Sequence, residues 1–111
     1  KALGFDEVIT YKNLNRVSEI FGISMPPSFH DFPLPDYEPY KNHPYAPILT
    51  GLGCPFRCTY CATHYLHPEI QQKSVETVVS EILDIAKMGF KNIVFYDDAL
   101  LFPQDRAKEI F

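Results

Sequence analysis

Three cysteines fall within eight residues, in the run Cys54-Pro55-Phe56-Arg57-Cys58-Thr59-Tyr60-Cys61. The spacing is C-x3-C-x2-C. Thiolates this close on one loop can converge on a single soft metal centre. Structural zinc wants four ligands, usually as C-x2-C pairs. Bacterial ferredoxin clusters use a C-x2-C-x2-C-x3-C run. The present spacing matches neither. A cubic 4Fe–4S cluster held by Cys54, Cys58 and Cys61 would leave one iron free for a ligand that the protein does not supply. An open coordination position marks a reactive centre rather than a structural one. The bland alternatives are buried, unliganded thiols, or a zinc site that recruits His64 or His67 as a fourth ligand.

The elements around this run decide where it sits. Pro47 to Gly53 reads as a short buried strand ending in a glycine-marked turn, and the cysteines follow at once. Residues 62–73 are polar and irregular. Ser74 then offers a helix N-cap, with Glu76 in the first turn. Val75, Val78, Val79, Ile82, Leu83 and Ala86 recur at helical spacing up to Lys87, and Gly89 stops the helix. Asn92 to Tyr96 is a β-branched and aromatic strand that ends at Asp97-Asp98. A second helix is expected from about Pro103 to Phe111. Strand, helix, strand is one βαβ unit, and adjacent parallel strands need such a crossover. In α/β sheets, ligands bind beyond the carboxyl ends of the strands. The cysteine run and Asp97-Asp98 both fall there.

Upstream, residues 1–25 read as the tail of a preceding domain. Leu3-Gly4 suggests a helix end, and Phe5 to Thr10 a short strand. Leu14, Val17, Ile20 and Phe21 mark a short amphipathic helix closed by Gly22. Residues 26–46 carry the prolines Pro26, Pro27, Pro33, Pro35, Pro39 and Pro44, interleaved with Phe29, Phe32, Leu34, Tyr37, Tyr40 and Tyr45. Proline excludes both a helix interior and a central strand. So many rings argue for an extended segment laid across a folded surface rather than a free linker.

Composition narrows the function. Of the 111 residues, 46% are hydrophobic and 22% charged, the balance of a soluble globular chain. No apolar run reaches the ~18 to 20 residues of a membrane span, and no signal peptide is visible. The net charge of −4 argues against binding nucleic acid by bulk electrostatics. Thiols kept free to ligate imply a reducing compartment, hence a cytoplasmic location.

Cys54-x3-Cys58-x2-Cys61, with Tyr60 just before the last cysteine, resembles the signature of the radical S-adenosylmethionine enzymes. The likeness covers roughly residues 33–111. From Pro33-Leu34-Pro35-Asp36-Tyr37 through Gly53-Cys54-Pro55 to Phe95-Tyr96-Asp97-Asp98, it is nearest to members with an upstream cobalamin-binding domain. The resemblance implies an α/β fold in which residues 47–111 begin a parallel, TIM-like βα barrel, truncated here, preceded by the proline- and aromatic-rich segment. It implies that Cys54, Cys58 and Cys61 bind three irons of a 4Fe–4S cluster, and that S-adenosylmethionine chelates the fourth. Tyr60 would lie near the adenine. Many members end the second strand with Gly-Gly-Glu, whose backbone meets the methionine amino group. Tyr96-Asp97-Asp98 stands there instead, and Asp97 or Asp98 would face that ammonium.

On the same resemblance, a one-electron reductant drives cleavage to a 5′-deoxyadenosyl radical, which attacks a substrate that later parts of the protein would hold. Cobalamin would belong to the whole protein, and the 111 residues alone would be inactive. The competing readings are a non-catalytic zinc module built on the same cysteines, or an inactive truncated protein. For single residues, the bland readings are a packed ring for Tyr60, turn and capping residues for Asp97 and Asp98, a solvated cation for Arg57, and exposed loop positions for His64 and His67. His30 and His43 show no partner spacing. Gly51 and Gly53 do not make a dinucleotide fingerprint, because Phe56 stands where its third glycine would be.

Overall fold

The computed structural model describes Gly4 and residues 6–10, 13–25 and 28–111. Its centre is a parallel pair of strands, β1 (Ala46–Ile48) and β4 (Ile93–Phe95), in the register Ala46↔Ile93, Pro47↔Val94, Ile48↔Phe95. The connection between them contains an antiparallel pair, β2 (Gly51–Leu52) and β3 (Gln71–Gln72), and two helices, α2 (Thr63–Leu66) and α3 (Val75–Lys87). Helix α1 (Asn15–Phe21) precedes the sheet and α4 (Gln104–Ile110) follows it. The protein is therefore a mixed α/β chain built on a βαβ unit.

Helix α3 forms where its sequence places it. The Ser74 hydroxyl accepts the Thr77 N–H at 3.2 Å and caps the first turn. At the other end, the Gly89 N–H donates to the Ala86 carbonyl at 2.9 Å, with Gly89 at φ +95°. The buried stripe is Val78, Glu81 and Ile85, flanked by Ile82. This corrects the expected face. Leu83 and Ala86 are exposed, and Ile85 is fully buried. Glu81 hid the true stripe, because an acidic residue does not read as core. It is buried because Lys73 Nζ donates to its Oε1 at 2.6 Å, and the Lys73 ammonium also lies 5.5 Å from the centre of the Phe29 ring.

Ile85 packs with Ala46, Ile48 and Tyr37, and Leu34, Ile82, Phe90, Ile93 and Phe95 close around them. Burying a side chain of the size of Ile85 or Val78 stabilises the fold by about 1.5–3 kcal/mol. Tyr37 brings the proline-rich segment into this core. Its hydroxyl donates to the Pro47 carbonyl at 2.5 Å, and its ring meets Phe90 edge-on at 5.9 Å. Among the described residues of that segment before β1, 28–45, the chain makes two 3-10 turns, Phe29–Asp31 and Glu38–Tyr40, and no α-helix or strand. Pro26 and Pro27 lie outside the described residues.

Three further corrections concern the strands and loops. The strand expected over 47–53 is two short strands, because Leu49 and Thr50 leave the β1 ladder. The polar stretch 62–73 is not irregular: it holds α2 and β3. Residues 6–10 form no strand, while Leu3 and Phe5 lie outside the described residues. Helix α1 closes on Gly22 at φ +63°, as its pattern predicts. Among the described residues no helix is long and apolar enough to cross a membrane.

Candidate metal and cofactor site

Because β1 and β4 are parallel, the loops that leave them open on one edge. Leu49 to Gly53 leads from β1 through β2 into the cysteines, and Tyr96-Asp97-Asp98 leaves β4 beside it. The two loops are tied by hydrogen bonds. Thr50 is fully buried. Its N–H donates to both Asp97 carboxylate oxygens, at 3.2 and 3.1 Å, and its hydroxyl donates to Asp97 Oδ1 at 2.6 Å. The Gly53 N–H donates to Asp98 Oδ2 at 3.0 Å.

Gly53 is required by this geometry. It sits at φ +86°, and a Cβ there would come within 2.7 Å of the Glu69 carbonyl oxygen. Two more groups fix the loop from the far side. The Lys73 N–H donates to the Thr50 carbonyl at 3.0 Å. One guanidinium nitrogen of Arg106, on α4, donates to the Thr50 carbonyl at 3.1 Å and to the Lys73 carbonyl at 3.0 Å. Burial pulls Arg106 below its ordinary pKa, and the Asp97 charge opposes that. Sequence reasoning missed Arg106, because nothing local marks an arginine near the start of an amphipathic helix as a brace for a loop 56 residues earlier.

Cys54, Cys58 and Cys61 are free thiols on one loop, Cys58 exposed and the others half-buried. No strand or helix residue lies between Cys54 and Cys61, and the Cys61 N–H donates to the Cys58 carbonyl at 3.1 Å, making a turn. The Cys61 Sγ–H donates to Thr63 Oγ1 at 3.3 Å. That side-chain contact, together with a backbone bond from Thr63, lowers the Cys61 pKa, while burial and the Asp98 charge oppose it. The thiols are not drawn together. Among the described residues, no group of three or more His, Cys, Asp or Glu side chains stands close enough to hold a metal ion. The donor set nonetheless fits an iron–sulfur cluster. It offers three soft ligands on one accessible loop, free of any ladder that gathering them would break.

The remaining candidates are placed as follows. Tyr60 is 91% exposed, at the tip of the cysteine loop. The Asp97 oxygens are turned onto Thr50, so its carboxylate braces the site. Asp98 is exposed and keeps more acceptor capacity. Tyr96 is also exposed, and its pKa is raised above the ordinary value, chiefly by a side-chain hydrogen bond with Tyr45. His64 and His67 are half-buried rather than fully exposed. The His64 Nδ1 is buried without a hydrogen-bond partner, and its ring meets that of Tyr65 at a tilt of 42°, with centroids 3.9 Å apart.

Comparison with known proteins gives this site a family. The model of the radical SAM superfamily matches residues 48–111, and the chain belongs to that superfamily. It is 30% identical over 89 residues to a protein named as an uncharacterized methyltransferase of Pyrococcus horikoshii, covering 72% of this chain and 19% of that protein. It is 29% identical over 89 residues to the ribosomal protein uS12 methylthiotransferase of Pasteurella multocida, covering 69% and 20%. Against the tRNA-2-methylthio-N(6)-dimethylallyladenosine synthase of Thermotoga petrophila it is 29% identical over 62 residues, covering 56% and 14%. The matched stretch thus spans a fifth or less of these relatives. No solved structure matches the chain.

Proposed function

We propose that the loop from Cys54 to Cys61 binds a 4Fe–4S cluster through its three thiolates and leaves one iron to S-adenosylmethionine. Membership of the superfamily supports S-adenosylmethionine-dependent radical chemistry in general. The observation that carries the finer reading is the set of three free thiols on the loop that leaves the carboxyl edge of a parallel pair, a loop whose lead-in residues Thr50 and Gly53 are held by Asp97 and Asp98. A cluster held by Cys54, Cys58 and Cys61 would, once reduced by an external one-electron donor, supply the electron for reductive cleavage of S-adenosylmethionine to methionine and a 5′-deoxyadenosyl radical.

The chain's own residues bind and orient. Cys54, Cys58 and Cys61 ligate iron. The exposed Tyr60 ring offers a face on which adenine stacks. Asp97 keeps the β1 end in place by holding Thr50. Asp98, at the same edge, presents a negative charge to the ammonium of the methionine moiety. Residues 47–111 form the start of a parallel βα barrel, of which β1, α3, β4 and α4 are the first units.

The chain spans a fifth or less of its relatives, so turnover is proposed for the whole protein. From their names, the proposed class is radical-initiated transfer of a methyl or methylthio group.

The test is anaerobic iron and sulfide quantitation with an absorption spectrum, on the chain and on its Cys58→Ala variant. About four irons per chain, lost in the variant, is the expected result. A folded chain that takes up zinc, or no metal, overturns the cluster reading.

A further inference from the structure

Asp98 reaches both ends of the cysteine loop. Its Oδ2 accepts the N–H of Gly53, the residue before Cys54, at 3.0 Å. Its Oδ1 lies 3.5 Å from the hydroxyl of Thr63, two residues past Cys61. That hydroxyl is also the acceptor for the Cys61 Sγ–H, at 3.3 Å. The carboxylate itself stands on a fixed point. Asp97, its neighbour, is locked to Thr50, and the Tyr96 N–H continues the β4 ladder to the Ile48 carbonyl at 2.9 Å.

We infer that Asp98 and Thr63 are the two halves of a staple on the cysteine loop: Asp98 holds its entry through the Gly53 amide, and Thr63 holds its exit and sets the orientation and electron density of the Cys61 sulfur. Both are positioning residues in this role. The inference rests on the cluster reading above. A ligating Cys61 sulfur carries no proton, so the Thr63 hydroxyl can then only donate to it. Thr63 has one hydroxyl proton, and its contact with Asp98 is already the longer of the two. The proton therefore turns toward sulfur, and Asp98 keeps its grip through Gly53.

Hydrogen bonds to cluster sulfurs and the net charge nearby both set the reduction potential. A donor on sulfur raises it, and a carboxylate close by lowers it. The two halves of the staple therefore pull the potential in opposite directions. Simple loosening of the loop would not produce that pattern.

The experiment reconstitutes the chain anaerobically with iron and sulfide. It compares the wild type with Thr63→Val, Thr63→Ser and Asp98→Asn. The readouts are iron per chain, the rate of iron loss to a chelator, and the cluster midpoint potential, with circular dichroism as the folding control. Thr63→Val is expected to lose iron several-fold faster and to shift to a more negative potential. Thr63→Ser should restore both. Asp98→Asn should also lose iron faster but shift to a more positive potential.

A Thr63→Val potential and loss rate equal to the wild type overturn the staple while leaving the cluster reading intact. An Asp98→Asn potential that moves in the same direction as that of Thr63→Val also overturns it. A wild-type chain that binds no iron overturns the cluster reading and this inference together.

Discussion

Asp97 accepts both the amide and the hydroxyl of Thr50, a residue 47 positions earlier in the chain and fully buried. The carboxylate at the end of β4 thus does for β1 what its own ladder no longer does, since Thr50 has left the strand register. Arg106 and the Lys73 N–H meet the Thr50 carbonyl from the other side. Every polar group of Thr50 is therefore satisfied without water, and the segment that leads into the cysteines starts from a fixed point.

Removing the Asp97 carboxylate leaves that amide and hydroxyl buried without an acceptor. Orphaned buried groups cost about 1–3 kcal/mol each. Asp97→Ala is therefore expected to lower unfolding stability by about 2–6 kcal/mol, and Asp97→Asn, which keeps one acceptor oxygen, by about half as much. Urea denaturation followed by circular dichroism measures both. Equal losses for Ala and Asn would mean that the negative charge matters and the acceptor geometry does not.

Two glycines with the same unusual backbone separate strain from crowding. Gly53 (φ +86°) faces the Glu69 carbonyl, whereas Gly89 (φ +95°) has open space where a Cβ would go. Gly89→Ala carries only the left-handed backbone cost, about 1 kcal/mol. Gly53→Ala adds a clash with backbone that has no flexible end to move, so its cost is expected to exceed that of Gly89→Ala by about 1–3 kcal/mol. Denaturation midpoints of the two variants decide the matter. A Gly53→Ala no worse than Gly89→Ala would show that the cysteine loop yields there.

The Lys73–Glu81 pair is the buried charge of the core, with both side chains less than a tenth exposed. Breaking it on one side strands the other charge. Lys73→Met or Glu81→Gln is expected to cost about 3–5 kcal/mol. The double change Lys73→Met with Glu81→Leu removes both charges at similar volume, and it is expected to recover most of that loss. A double-mutant cycle in urea reads the coupling, and additive losses would show that each residue acts alone.

What could be read in the sequence was whatever depends on near neighbours. The cysteine spacing, the Ser74 cap, the Gly22 and Gly89 stops and the strand ending at Asp97-Asp98 are written within a few residues of where they act. The unread features depend on distant partners. β3 is a polar Gln71-Gln72 pair, with no alternation to mark it, and it exists because Gly51-Leu52 lies opposite. Glu81 belongs to the core stripe only because Lys73 reaches it. Asp97 reads equally as a ligand or as a turn residue until Thr50 is seen beneath it. Arg106 has no local signature at all, since its acceptors are backbone carbonyls in another loop.

Helix α3 should carry a pH dependence of known sign. Glu76, in its first turn, has a pKa below its ordinary 4.5. The main cause is a hydrogen bond from its own backbone amide, followed by one from the Ser74 side chain. A carboxyl held below its unfolded value stabilises the folded state at pH above that value. The contribution disappears as pH falls through the lower, folded value. The charge also favours the helix N-terminus, where unpaired N–H groups and the macrodipole present positive potential. Glu76→Gln keeps the shape and removes the titration. Wild type should therefore exceed Glu76→Gln in urea midpoint at pH 7, with the gap shrinking as pH drops below 4.5 and closing once Glu76 is protonated. High salt should narrow the gap at pH 7, because Glu76 is exposed and its field is screened. A gap that persists unchanged at low pH would assign the effect to side-chain shape, and the Ser74 cap would then stand without electrostatic help from its neighbour.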